Sequence, residues 1–262
     1  MIPRVLTIAG SDPGGGAGVQ ADLKTFTAFR VHGMSAITAV TVQNTLGVRS
    51  VNPVPPRTVA AQAGAVLEDI GADAVKLGML ASPGIVKAAA RCLRKYAVKN
   101  IVLDPVMYAK SGHPLLAADA MTALKAELLP LALIVTPNAP EAARLAGTRV
   151  TNITEARKAA KLIAAFGPRF VLVKGGHLGG KLCRDLLYDG SGFIEFSSPR
   201  IDTRNTHGTG CTLSAAIAAC LALGLEPRAA VREAGLYIAG AIRNSFSLGG
   251  GHGPLNHFWR AG

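Results

Sequence analysis

The amino-acid sequence predicts an α/β protein, a three-layer α/β/α sandwich whose central sheet is mostly parallel and carries an appended β-hairpin. Three observations lead there. Short apolar runs, several rich in β-branched residues, alternate with helical stretches from start to finish. Those runs are almost continuously apolar, the pattern of strands covered on both faces. A turn-forming tetrad, Asp189-Gly190-Ser191-Gly192, joins two extended segments into a hairpin.

In chain order, strands are expected at 5–9, 36–42, 74–77, 101–103, 133–135 and 170–173, and helices at 17–29, 58–70, 85–96, 119–128, 141–145 and 155–166. The hairpin arms are 182–188 and 193–197, and two further helices follow at 211–223 and 227–245, with Gly224 stopping the first. A chain of 262 residues suits one large domain or two small ones. No repeat, low-complexity linker or composition shift divides it, so one domain spanning 1–262 is expected.

The formal net charge of +12 raises the question of nucleic acid. The basic residues are scattered through amphipathic helices, as at Arg91, Arg94, Lys95 and Lys99, and aromatics are only 5%, leaving little to stack on bases. Neither nucleic acid nor membrane is expected as a partner. A positive field favours anionic ligands such as ATP, although solubilising surface charge explains most of it. Cys92, Cys183, Cys211 and Cys220 show neither CxxC pairing nor zinc spacing, which points to a reduced compartment. The first ten residues read as a strand and not a signal peptide, and no apolar segment reaches the ~20 residues of a membrane span. A cytoplasmic protein is expected.

In open α/β sheets ligands collect at the carboxyl ends of the strands. Ser11-Asp12, Gln43-Asn44, Gly78-Met79, Asp104, Asn138 with Glu141, and Lys174-Gly175-Gly176 all fall there. The run Thr206-His207-Gly208-Thr209-Gly210-Cys211 is a glycine-flanked turn entering an apolar helix. Inward-turned amides and the helix N-terminus make such a turn an anion site and would lower the pKa of a thiol. An isolated turn of this kind serves equally as a helix entry with a buried, inert cysteine. Lys174 stands where a cation could reach a phosphate, or as a solvated strand end. Asp104 and Glu141 could hold Mg²⁺ with phosphate oxygens and water; Asn138 and Glu141 equally fit a capping box. Gly16-Ala17-Gly18-Val19-Gln20-Ala21 fits the dinucleotide pattern, but the acid due ~20 residues later is missing, since Glu68 is the next after Asp22. A Walker sequence is absent as well.

In this order the pieces resemble the ribokinase-like superfamily, and within it the hydroxymethylpyrimidine/phosphomethylpyrimidine kinases of thiamine biosynthesis. The resemblance covers nearly the whole chain. It is carried by Ala9-Gly10-Ser11-Asp12 with Gly15-Gly16-Ala17-Gly18 and Gln20-Ala21-Asp22, by Thr41-Val42-Gln43-Asn44-Thr45, and by Lys76-Leu77-Gly78-Met79-Leu80. Leu103-Asp104-Pro105-Val106-Met107 with Ala109-Lys110-Ser111-Gly112, Thr136-Pro137-Asn138 with Glu141, Val173-Lys174-Gly175-Gly176-His177 and Gly208-Thr209-Gly210-Cys211 continue it, and Gly251-His252-Gly253-Pro254-Leu255-Asn256-His257 closes it.

The resemblance implies an ATP-dependent kinase that phosphorylates hydroxymethylpyrimidine and then its monophosphate. It implies an anion hole from Gly208, Thr209 and Gly210, with Cys211 where related sugar kinases carry a catalytic Asp. Lys174, Asn138, Thr209 and Gly210 would meet ATP, while Asp104 and Glu141 would organise Mg²⁺. Gln43 would hydrogen-bond the pyrimidine, and Asp22, Gly10, Met79 and Val106 would complete its pocket. A homodimer is implied by analogy. A pyridoxal-type kinase that makes only a monophosphate is the nearest alternative; a non-catalytic nucleotide-binding regulator would show damage at Lys174, Asp104 or the glycines. The polar loop 107–116 could cover substrate, and His252 and His257 are expected to close the C-terminal turn.

Overall fold

The computed structural model describes residues 2–109, 112–117 and 119–260. Its elements run β1 (Arg4–Ser11), α1 (Gly18–Ala28), β2 (His32–Asn44), β3 (Gly47–Pro53), α2 (Pro56–Asp69), β4 (Ala74–Leu77), α3 (Pro83–Lys95) and β5 (Ile101–Leu103). They continue with α4 (Ala120–Ala123), β6 (Ile134–Val135), α5 (Ala139–Ala146), α6 (Ile153–Ala164), β7 (Phe170–Val173), β8 (Leu182–Tyr188), β9 (Phe193–Pro199), α7 (Thr209–Ala222) and α8 (Pro227–Arg243).

The strands form one sheet in the order β3-β2-β1-β4-β5-β6-β7-β8-β9. From β2 to β7 neighbouring strands are parallel, whereas β3, β8 and β9 run antiparallel to theirs. The predicted hairpin is thus a continuation of the sheet. Successive strand residues point to opposite faces, and both faces are apolar. Leu6, Ile8, Val75, Leu77, Ile101 and Leu103 join the core that contains α2, α3, α5 and α6 residues. Val5, Ala74, Val102 and Ile134 join the core built with α1, α7 and α8. That two-sided burial is why the strands read as unbroken apolar runs, and it makes the three expected layers.

Two elements differ from expectation. The second strand extends to Asn44, and a two-residue turn returns the chain as β3, pairing Asn44 with Gly47 and Ala39 with Pro53. Strand β3 went unpredicted because it is a polar edge strand (Val-Arg-Ser-Val-Asn-Pro) with no buried face to impose alternation. The helix expected at 119–128 is one α-helical turn, then a π-helical segment Leu124–Leu128 and a 3-10 turn Leu129–Leu131. Pro130 has no N–H to donate, so the helix ends there. No helix among the described residues is long and apolar enough to cross a membrane.

Two features place the site. Strand order reverses at β1/β4, the kind of point where open α/β sheets bind ligands. Helix α7 is buried from Thr212 to Leu221 and packs in the core with α1, α8 and the sheet. Its apolarity on every side fits a helix with no solvent face. Burying side chains such as Leu213 and Ile217, at about 2 kcal/mol each, pins the N-terminus of α7 over the carboxyl edge of the sheet.

Candidate active site

The entry to α7 is shaped by glycine. Gly208, its N-cap, has φ 82°, and a Cβ there would collide with the carbonyl of Gly16. Only glycine accepts both conditions without strain. At Gly210 the reason is space: a Cβ would lie 3.2 Å from Lys174 Nζ and 3.6 Å from Asp104 Oδ2. The turn, the lysine after β7 and the aspartate after β5, far apart in sequence, therefore face one another. Thr209 donates its hydroxyl to Thr206 O at 2.8 Å, which ties the turn to its own approach.

Lys174 Nζ lies 2.7 Å from Asp104 Oδ1 and 3.8 Å from Glu141 Oε2. Burial works against the ammonium charge, but the two carboxylates outweigh it and raise the lysine pKa. Asp104, 1% exposed, also receives Thr136 Oγ1 at 3.3 Å and Ser214 Oγ at 3.4 Å. Glu141 and Asn138 do form the capping box: Asn138 N donates to Glu141 Oε2 at 2.7 Å, and Glu141 N to Asn138 Oδ1 at 2.9 Å. Burial pushes the Glu141 carboxyl upward, against the pull of Lys174. Capping and site placement are the same act here, because the box orients the glutamate toward the lysine.

Of the two readings of Cys211, an acidic thiol or a buried, inert one, its surroundings favour the second. Burial, reinforced by Asp104 and Asp22, pushes its thiol up to about 11 despite the opposing charge of Lys76 and a hydrogen bond from the Gly18 amide. Their balance favours the neutral thiol. Beneath it lies a buried ion pair that sequence reading missed. Lys76 Nζ meets Asp22 Oδ2 at 2.8 Å with both side chains fully buried, and Thr7 Oγ1 donates to the same oxygen at 2.6 Å. Asp22 Oδ1 has no partner among the described residues. The signal was available: Lys76 is the one charged residue in the buried strand Ala-Val-Lys-Leu.

Gly10 and Met79 adjoin, since a Cβ on Gly10 would stand 3.0 Å from Met79 Sδ and 3.6 Å from Ala39 O. Met79 is 7% exposed, and its carbonyl accepts Thr38 Oγ1 at 2.6 Å. Val106 is half-buried against the same core. Gln43 stands on the part of β2 that runs past β1, whose pairing stops at Ser11↔Val40. It acts on the Asp12 carboxylate as a hydrogen-bond partner. In the loop expected over the site, Lys110 and Ser111 lie outside the described residues. His257 closes the C-terminal turn as expected, with Nε2 3.0 Å from Thr212 Oγ1 and its carbonyl accepting Tyr237 OH. His252 does likewise through Thr45 O and Arg204 O.

The nine-stranded, mostly parallel sheet covered on both faces, with the glycine turn into α7 beside Lys174 and Asp104, is the ribokinase-like architecture of solved vitamin kinases. The family model for phosphomethylpyrimidine kinase matches residues 12–256, and the chain belongs to that family. A hydroxymethylpyrimidine/phosphomethylpyrimidine kinase of Streptomyces coelicolor is 50% identical over 260 residues, 99% of this chain and 96% of that protein. An ADP complex of Bacillus subtilis pyridoxal kinase superposes with TM-score 0.92 at 40% identity, covering 100% of this chain and 99% of the other. A phosphomethylpyrimidine kinase from Clostridium difficile gives TM-score 0.82 at 45% identity over 92% of this chain and 99% of its own.

Proposed function

We propose that this single-domain kinase transfers the γ-phosphoryl group of ATP to 4-amino-5-hydroxymethyl-2-methylpyrimidine and then to the resulting monophosphate, in thiamine biosynthesis. The observation that carries it is the approach of the turn into α7 to Lys174 and Asp104: a Cβ on Gly210 would lie 3.2 Å from Lys174 Nζ and 3.6 Å from Asp104 Oδ2, and those two side chains pair at 2.7 Å.

Phosphoryl transfer depends mainly on alignment and on neutralising charge. The amides of Gly208, Thr209 and Gly210 would receive the equatorial oxygens, and Lys174 would compensate charge as the bridging bond breaks. Asn138, bridged to Lys174 through the backbone, and Thr209 would meet the ATP phosphates. Gln43 offers donor and acceptor to the aminopyrimidine edge, the unpartnered Oδ1 of Asp22 adds a buried acceptor, and Gly10, Met79 and Val106 supply an apolar wall. Asp104 and Glu141 offer only oxygen donors, which suits Mg²⁺ held through water. Bound with ATP, the ion would neutralise phosphate charge. Among the described residues no group of three His, Cys, Asp or Glu gathers for a metal, so the phosphates themselves would complete its shell.

The neutral Cys211 thiol suits both acceptors, an alcohol and a phosphate. The exposed Val40, Val42 and Leu46 on the overhanging β2/β3 ribbon support a homodimer, and four free cysteines support a reducing, cytoplasmic setting. The test is incubation with ATP, Mg²⁺ and either the pyrimidine or pyridoxal, with mono- and diphosphates resolved chromatographically. A pyrimidine diphosphate is expected. Phosphorylation of pyridoxal alone, the activity named for the Bacillus subtilis structure, would replace this reading.

A further inference from the structure

Asp12 and His207 have no part in the chemistry outlined above, yet they join the two helix entries that build the site. Asp12 is 2% exposed and closes the turn into α1. Its Oδ1 accepts the Gly14 amide at 2.8 Å, and its Oδ2 accepts those of Gly16 at 3.1 Å and Ala17 at 2.8 Å. The same Oδ2 lies 2.8 Å from Nε2 of His207, the residue immediately before Gly208. The two turns interlock: a Cβ on Gly16 would strike the His207 ring, and one on Gly208 would strike the Gly16 carbonyl. From the other side, the His207 amide is tied to Gly253 O at 3.1 Å.

We propose that the Asp12–His207 pair is a positioning element for phosphoryl transfer, holding the loop into α7 and its anion-binding amides in register with the loop into α1. Four donors converge on one buried carboxylate, a charge-assisted arrangement stronger than neutral hydrogen bonds. The Gly18 amide that follows the Asp12 turn meets Cys211, so both helix entries address the same reacting centre. Burial would raise the Asp12 carboxyl, but His207, Gln43 and the Ala17 amide hold it down at about 2. It therefore stays ionised, and Gln43, expected to read the pyrimidine, leans on the same anchor. The inference rests on the kinase reading for its activity assay but not for its structural one.

The experiment compares His207→Ala, His207→Asn and His207→Gln in the full chain. Misplacing transfer-site donors costs on the order of 100-fold, so His207→Ala is expected to lower kcat by about that factor while KM for the pyrimidine moves less than about threefold. Glutamine extends an amide nitrogen to the reach of Nε2 and is expected to restore most of kcat. Asparagine is too short and is expected not to. Hydrogen exchange of the peptide spanning 208–213 should quicken about tenfold in the alanine and asparagine variants, and not in the glutamine one. Wild-type kcat in the alanine and asparagine variants overturns the proposal. So does a lower melting temperature alone, with unchanged exchange at 208–213 and unchanged kcat per folded molecule. If His207→Ala does not fold, the asparagine–glutamine contrast decides by the same criteria. If the wild type phosphorylates no pyrimidine, the functional reading fails, and the exchange contrast alone upholds or overturns the latch.

Discussion

Replacing Cys211 with aspartate separates the two phosphorylations. The thiol is held neutral by burial and by Asp104 and Asp22, with Lys76 opposing them. Cys211→Asp puts a carboxylate into that same surrounding. For the first acceptor, a neutral alcohol, a carboxylate is tolerable and can receive the hydroxyl proton. For the second, a phosphate monoester, it is a like charge. At ~4 Å and an effective dielectric of ~20 the repulsion is about 4 kcal/mol per unit charge, or roughly 1000-fold in rate. The ammonium groups of Lys174 and Lys76 reduce it, so the ratio of kcat/KM for monophosphate to that for alcohol is expected to fall at least about 30-fold. Cys211→Ser, also neutral, should leave that ratio within about threefold. The assay supplies alcohol and monophosphate separately, resolves products by anion exchange and checks folding by circular dichroism. Equal losses in both steps with the fold intact, or a serine variant that shifts the ratio as far as aspartate, would refute the reasoning.

Three further outcomes are expected. Gly210→Ala places a methyl 3.2 Å from Lys174 Nζ and should cut kcat at least about 100-fold with little change in melting temperature; a fully active variant would remove this turn as the transfer site. Burial, helped by the charge of Lys24, lowers the pKa of His257 from 6.5 to about 4, so between those values the unfolded chain binds more protons and stability falls as pH falls. The loss, about 3 kcal/mol, should appear in denaturant titrations between pH 6.5 and 4 and flatten in His257→Gln; an unchanged slope in that variant would assign it elsewhere. Asp22→Asn leaves Lys76 buried without its counter-charge and should cost about 3–5 kcal/mol, much of it recovered in an Asp22→Leu/Lys76→Met double variant; a single variant as stable as wild type would contradict the buried pair.

How much was legible without coordinates follows from where each signal resides. The sandwich could be read because burial of both sheet faces forces continuous apolar runs, a property local to each strand. The residues at strand ends were legible because the carboxyl edge of a parallel sheet follows from strand direction alone. The turn into α7 announced itself through its glycines, and the capping box of Asn138 and Glu141 through its three-residue spacing, although the contacts that require Gly208 and Gly210 come from Gly16, Lys174 and Asp104. Strand β3 was silent, being an exposed edge whose pairing is made by backbone groups of β2.

The properties of the side chains belonged to the fold. A glycine turn at a helix N-terminus argues for an acidic thiol, yet the Cys211 thiol is pushed up, because neighbours brought from positions 22 and 104 and the loss of water outweigh Lys76 and the Gly18 amide. Asp22, expected in the pocket wall, is held from below by Lys76, 54 residues away. His207 reads as an ordinary loop residue until its ring meets Asp12 across 195 positions. Charge acts through space and in proportion to desolvation, and neither the distance nor the missing water is written in the order of the residues.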